Sequence, residues 1–231
     1  MFHDTIEGIN NIFENDIYQG AIVLVTGPPG SLKSGYSFGI LSKYLEESDE
    51  FGLYMTLEET TESHLRNMQS LGIDVPDNLL ISDYSDIRDK FEIAEDHPDF
   101  MDLVYGVIKF FKEKEGERFT CFALDSLGAL YSLTDTRSLR SKVFHFFKML
   151  RDNNLTSIIV MENPKFSNIQ HSIGSEGFLC DGIIEMGTIE TQHDIMLYMQ
   201  VQKMRATAHS RKKHLIEVGE NGLSILGPVF E

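Results

Sequence analysis

The chain has 231 residues, with 20 Lys and Arg against 36 Asp and Glu, for a net charge of −16. Its apolar and aromatic content suits a cored domain and excludes a disordered chain. The acidic balance opposes non-specific nucleic-acid binding, which needs cations to displace counterions, and two cysteines, Cys121 and Cys180, are too few for a disulfide framework.

Both cysteines lie in apolar runs, as buried core residues do. The Met1 region carries no basic-then-apolar leader, and no apolar run reaches the length of a membrane span, so a soluble, cytoplasmic protein with no membrane contact is expected.

Residues 1–20 form a short apolar lead-in (Ile6, Ile9, Ile12, Phe13, Ile17). The run 21–25 predicts a strand that breaks into the loop Gly27-Pro28-Pro29-Gly30-Ser31-Leu32-Lys33-Ser34. Helical spacing follows at Tyr36, Phe38, Ile40, Leu41, Tyr44 and Leu45. Strand, glycine loop, Lys-Ser and helix is the order a phosphate-binding loop needs. Loop amides and the helix N-terminus face the phosphates, Lys33 adds a point charge, and the Ser34 hydroxyl can ligate Mg²⁺. The sequence departs from the G-x-x-x-x-G-K-[ST] pattern in one place: Leu32 stands where the second glycine belongs. If that backbone position needs φ > 0, leucine there is strained by about 1–2 kcal/mol.

Phe51–Leu57 reads as a strand, Thr60–Leu71 as a helix with a polar start and Gly72 as its stop, and Leu79–Ile81 as a short strand. Residues 83–102 hold eight acidic side chains against Arg88 and Lys90, the pattern of a solvated loop with a short helix. Phe100–Lys114 is an amphipathic helix. Phe119–Leu124 is a buried strand ending at Asp125-Ser126. Ser138–Asp152 is a helix, Thr156–Met161 a strand, and Asn163–Ser175 a polar loop. Gly182–Gly187 and Ile195–Val201 read as strands, and Leu215–Val218 and Leu223–Leu226 flank the hairpin signal at 220–222. One α/β domain over 1–231 is expected: a mostly parallel twisted sheet with helices on both faces and a C-terminal antiparallel extension.

Asp125, at the end of an apolar strand, can hold the Mg²⁺ shell beside Ser34; capping the next helix is its plainer role. Glu58 and Glu59 follow the second strand, at the end of a sheet where ligands sit. One can polarise water for attack on a γ-phosphate while the other starts a helix. Lys203, Arg205, Thr207 and His209 alternate after a strand, so alternation places them on one side. Five of the 20 basic residues lie between 203 and 213. They suit a local nucleic-acid patch, a set of cations offered to a neighbour's nucleotide, or a solvated edge strand guarded by lysines.

In these stretches the chain resembles the RecA-superfamily ATPases of the KaiC, GvpD and RadA-like group. Residues 27–34 resemble their Walker A loop. Residues 54–60, with Glu58 and Glu59, resemble the KaiC strand that ends in two glutamates, and Leu124-Asp125-Ser126 their Walker B. Lys203, Arg205 and His209 match the Lys-x-Arg-x-x-x-His segment that reaches the γ-phosphate of the adjacent subunit in KaiC rings. The likeness runs nearly the whole chain in order. It implies a RecA-like fold, ATP and Mg²⁺ held at subunit interfaces of a homo-hexamer, and Glu58 as catalytic base with Glu59 as companion.

The expected function is an ATPase whose occupancy or turnover drives assembly and signalling to a protein partner. Alternatives are a nucleotide-sensing module with little hydrolysis, for which Leu32 is the hint, or a DNA-repair accessory ATPase. DNA is an unlikely partner, because the 163–175 loop offers only Lys165 and His171 as cations.

Overall fold

Strands and helices interleave from residue 22 to residue 182, and strands alone follow, in a computed structural model that describes residues 3–90, 99–134, 137, 139–162, 176–191, 194–219 and 222–229. Strand β1 (Ile22–Gly27) leads into helix α1 (Lys33–Glu46). Then follow β2 (Phe51–Thr56), α2 (Thr61–Ser70), β3 (Leu79–Asp83), α3 (Tyr84–Lys90), α4 (Phe100–Glu115), β4 (Phe119–Asp125), α5 (Leu127–Ser132) and α6 (Leu139–Asp152). The last third holds β5 (Thr156–Glu162), α7 (Glu176–Leu179), β6 (Gly182–Glu190), β7 (Ile195–Met204), β8 (His214–Gly219) and β9 (Gly222–Pro228).

All of these strands form one sheet in the order β3-β2-β4-β5-β1-β6-β7-β8-β9. The pairings from β3 to β6 are parallel, and those from β6 to β9 antiparallel. The expected parallel sheet with an antiparallel extension is therefore present. β1 is central, with Leu24 opposite Ile159 of β5 and Ile183 of β6.

Two cores lie on opposite faces of the sheet, because β1 is buried on both sides. Val23 and Val25 join the core with Phe38 and Leu41 of α1; Ile22 and Leu24 join the one with Val104 of α4 and Phe146 of α6. Both cysteines are buried and free, and burial pushes the Cys121 thiol up to about 12. Among the described residues no helix is long and apolar enough to cross a membrane.

The acidic segment has structural work at its ends. Asp83 accepts from the amides of Thr61 and Asp86, so it ties α2 to α3. Asp99 caps α4 through the Met101 amide and pairs with Lys142. Residues 91–98, and with them most of the expected solvated loop, lie outside the described residues.

Candidate active site

The loop between β1 and α1 is shaped by close approaches. A Cβ on Gly27 would fall 2.1 Å from the carbonyl oxygen of Met186, so only glycine fits there. Pro28 turns its carbonyl inward, where it accepts from Ser31 Oγ at 2.8 Å and from Lys33 Nζ at 2.8 Å. Leu32 is the N-cap of α1, but its side chain caps nothing, and the first turn of α1 holds no acidic residue. The amides at the start of a 14-residue helix thus meet no capping side chain and no acid of their own turn, the arrangement that receives an anion.

Leu32 has φ 63° and ψ 24°, the left-handed conformation in which glycine is at ease. Its side chain packs partly buried against the core, so the leucine gains contact there while its backbone is strained by about 1–2 kcal/mol. The two effects separate experimentally. Leu32→Gly and Leu32→Ala both lose the packing, but only glycine escapes the strain. Leu32→Gly is expected to be more stable than Leu32→Ala by roughly 0.5–1 kcal/mol, after glycine's extra unfolded-state entropy is subtracted. Urea unfolding of the two variants measures this, and alanine above glycine by the full entropy difference of about 0.4–1 kcal/mol would show that the position carries no strain.

The carboxyl ends of the parallel strands collect acids around this loop. Lys33 is 8% exposed. Burial lowers its pKa, and the charges of Glu162, Asp125 and Glu58 oppose that shift. Asp125 ends β4 and accepts from the Tyr54 hydroxyl at 2.8 Å. The Tyr54 phenol is pushed well up by burial and by Asp125 beside it, so it remains a donor. The helix after β4 is capped by Ser126, whose Oγ accepts from the Ala129 amide at 3.2 Å, so Asp125 is not spent on capping. Ser126 Oγ in turn donates to Glu58 Oε1.

The two glutamates after β2 part company. Glu58 is exposed and tied to Ser126 beside Asp125. Glu59 accepts from Ser63 Oγ at 3.0 Å and Asn67 Nδ2 at 2.9 Å and lies 2.8 Å from His64 Nδ1, all on α2. Glu162 carries no motif in the sequence. It extends β5 by one residue past the predicted end and sits opposite Gly27, and that register alone brings it to Lys33.

Ser34 and Asp125 are hard oxygen donors suited to Mg²⁺. Among the described residues no three His, Cys, Asp or Glu side chains gather as a metal site. An ion held by these two oxygens would take its remaining ligands from phosphate and water, as Mg²⁺ does.

The basic cluster lies elsewhere. β6 runs parallel to β1 with Gly182 opposite Val23, and Met204 pairs with Gly182. Lys203 and Arg205 therefore stand at the amino end of β1, roughly 13 Å along the strands from Gly27 and two strand spacings aside. Both have partners in this chain. Lys203 Nζ donates to the carbonyls of Gly177 and Cys180 at 2.8 and 2.7 Å. Arg205 donates to Asp181 Oδ1 at 3.1 Å and to the Phe178 carbonyl at 3.2 Å, with its side chain 51% exposed.

The expected alternation through His209 does not hold. β7 ends at Met204, and Ala206 takes φ 60°, turning the chain. The cause is long-range: Thr207 Oγ1 donates to the Asn15 carbonyl and the Ser210 amide to that of Ile12, which draws 207–210 across the N-terminal segment. His209 lies there, bridged to Phe13, its Nδ1 3.3 Å from the Thr207 carbonyl. The polar loop 163–175, with Lys165 and His171 as its cations, lies outside the described residues.

Comparisons with known proteins identify the family. A family model described as "ATPase: KaiC" matches residues 3–229. The circadian clock oscillator protein KaiC of Prochlorococcus marinus is 25% identical over 230 residues, covering 95% of this chain and 44% of that protein. The chain thus spans about half the length of the clock relatives it matches. A UPF0273 protein of Thermotoga maritima is 26% identical over 95% of this chain and 93% of its own length. Among solved structures, a KaiC-like protein of Pyrococcus horikoshii superposes with a TM-score of 0.77 at 25% identity, over 96% of this chain and 97% of that one. The chain belongs to the KaiC family of ATPases and has its RecA-like fold.

Proposed function

We propose that this KaiC-family chain binds Mg-ATP at the loop 27–34 and hydrolyses it at the boundaries between copies of itself in a homo-oligomeric ring. The ring, with six copies as the resemblance implies, would serve a regulatory or signalling role toward a protein partner in the cytoplasm. One observation carries the reading. Lys33, Asp125 and Glu58 share one end of the sheet, while Lys203 and Arg205 stand at the other. A cation there reaches a triphosphate only if that triphosphate belongs to another copy, and a head-to-tail contact whose rotation closes makes a ring.

In this reading the loop amides and Lys33 bind the phosphates, with Lys33 Nζ exchanging the Pro28 carbonyl for phosphate oxygen. Mg²⁺, held from Ser34 and through Asp125, would neutralise charge on the phosphate oxygens. Glu58, oriented by Ser126, takes the proton of the attacking water. Glu59 holds the start of α2. Arg205 of the next copy contacts the γ-phosphate, since a guanidinium binds phosphate oxygens bidentately, with Lys203 as companion, while His209 stays against the N-terminal segment. The neighbour then gains contacts only when nucleotide is present, which couples occupancy to assembly. The left-handed Leu32 favours a second reading, a nucleotide sensor that turns over little; multiple-turnover assays separate the two.

The test of the interface mixes two variants. Arg205→Ala alone is expected to lose turnover and Mg-ATP-dependent assembly together while keeping its fold. Lys33→Ala alone is expected to lose both through the nucleotide site. Mixed rings contain wild-type boundaries, where an intact loop meets an intact Arg205, so mixing is expected to restore both. Mixed rings that form and regain nothing would show that Arg205 does not act in trans. Turnover is read beside native mass with and without Mg-ATP.

A further inference from the structure

Asp181 is 3% exposed and ties three strands together. Its amide donates to the Ile22 carbonyl at 2.8 Å, and its own carbonyl accepts from the Arg205 amide at 2.9 Å. Its carboxylate accepts from the Ile22 amide at 3.0 Å and Arg151 at 3.1 Å through Oδ2, and from Arg205 at 3.1 Å through Oδ1. Burial would raise the pKa of this carboxyl, but the Ile22 amide and Arg151 hold it below the usual carboxylate range, so it is charged.

We infer that Asp181 is the positioning residue for the trans-acting guanidinium of Arg205, an inference that rests on the reading of Arg205 given above. The argument is one of pre-organisation. An exposed arginine samples many rotamers, and holding it against a neighbour's phosphate costs that freedom. Here the guanidinium is anchored at two points, Asp181 and the Phe178 carbonyl. These bonds use two of its five N–H donors, and its half-exposed remainder faces outward with donors left for phosphate. The acid that anchors it is itself rigid, because main-chain bonds to β1 and β7 and a second arginine fix its place. Arg205 is thereby held in readiness before a neighbour docks.

The competing role is specific. The same carboxylate holds the amide of Ile22, the first residue of the strand that leads to the phosphate loop, so Asp181 could act only on its own copy's site. Subunit mixing distinguishes the two. Asp181→Asn keeps an oxygen for the Ile22 amide and loses the charge for Arg205. If Asp181 positions Arg205, the variant lowers turnover at least tenfold, leaves Mg-ATP affinity unchanged within twofold, and falls into the same complementation group as Arg205→Ala. Turnover and Mg-ATP-dependent assembly then return on mixing with Lys33→Ala and not on mixing with Arg205→Ala. Recovery with Arg205→Ala but not with Lys33→Ala would overturn the inference and place Asp181 on the path through β1. Unchanged turnover would overturn it as well. Failure of the Arg205→Ala and Lys33→Ala pair to recover would instead overturn the trans reading of Arg205 itself. Thermal melts establish that Asp181→Asn is folded. Should it not fold, Asp181→Glu keeps the charge, displaces it by one methylene, and is expected in the same complementation group.

Discussion

Lys33→Ala is expected to lower Mg-ATP affinity by about a hundredfold or more. Removing one partner of a buried, hydrogen-bonded charge pair costs about 2–5 kcal/mol, and each 1.4 kcal/mol is tenfold in affinity. The upper part of that range is favoured by the surroundings. Lys33 is nearly buried, and Glu162, Asp125 and Glu58 all bear on its charge. Without the lysine these acids face a triphosphate with no cation of the loop between them, so repulsion adds to the lost bond. The fold is expected to survive, because among the described residues the side chain's hydrogen bond goes only to the Pro28 carbonyl. Isothermal titration with Mg-ATP, beside a thermal melt, measures the effect. An unchanged dissociation constant would remove the loop 27–34 as the nucleotide site.

Glu58→Gln is expected to keep Mg-ATP binding and slow hydrolysis by roughly a hundredfold or more, the scale of a lost general base. The amide still accepts from Ser126, so geometry is retained and only basicity is lost. Glu59→Gln is expected to behave differently. Its carboxylate is occupied by Ser63, Asn67 and His64 around the start of α2. Losing that charge near a helix N-terminus costs about 0.3–1 kcal/mol of stability and little rate. Single-turnover hydrolysis at saturating Mg-ATP compares the pair, and a crippled Glu59→Gln beside an active Glu58→Gln would reverse the assignment.

What the sequence makes legible here is local. The strand-loop-helix at 21–45 declares itself through apolar periodicity and glycine placement, both properties of neighbouring residues. The glutamate pair is legible as a pair, but its division of labour depends on where α2 begins, and helix ends are poorly marked by composition. Glu162 and Asp181 are single acids with no motif. Each matters because of strand order: β5 and β6 flank β1, and that pairing joins residues far apart in the chain. The alternation from 203 to 209 misleads for the same reason. A strand pattern continues locally, while Asn15 and Ile12, on the N-terminal segment, turn the backbone at Ala206.

The central position of β1 also bears on biosynthesis. Ile22 pairs with Ser157, so a strand buried at every residue is made early and finds its flanking partners only after most of the chain exists. With Ser157 lying 135 positions after Ile22 and synthesis at about 5–20 residues per second, the run 22–25 waits roughly 7–27 s for β5, and longer for β6. During that interval four consecutive apolar residues have no sheet to join. The nascent chain therefore carries an aggregation-prone stretch until its last third emerges, and a ribosome-bound chain ending before residue 157 would bind a holdase chaperone that the released full-length protein does not.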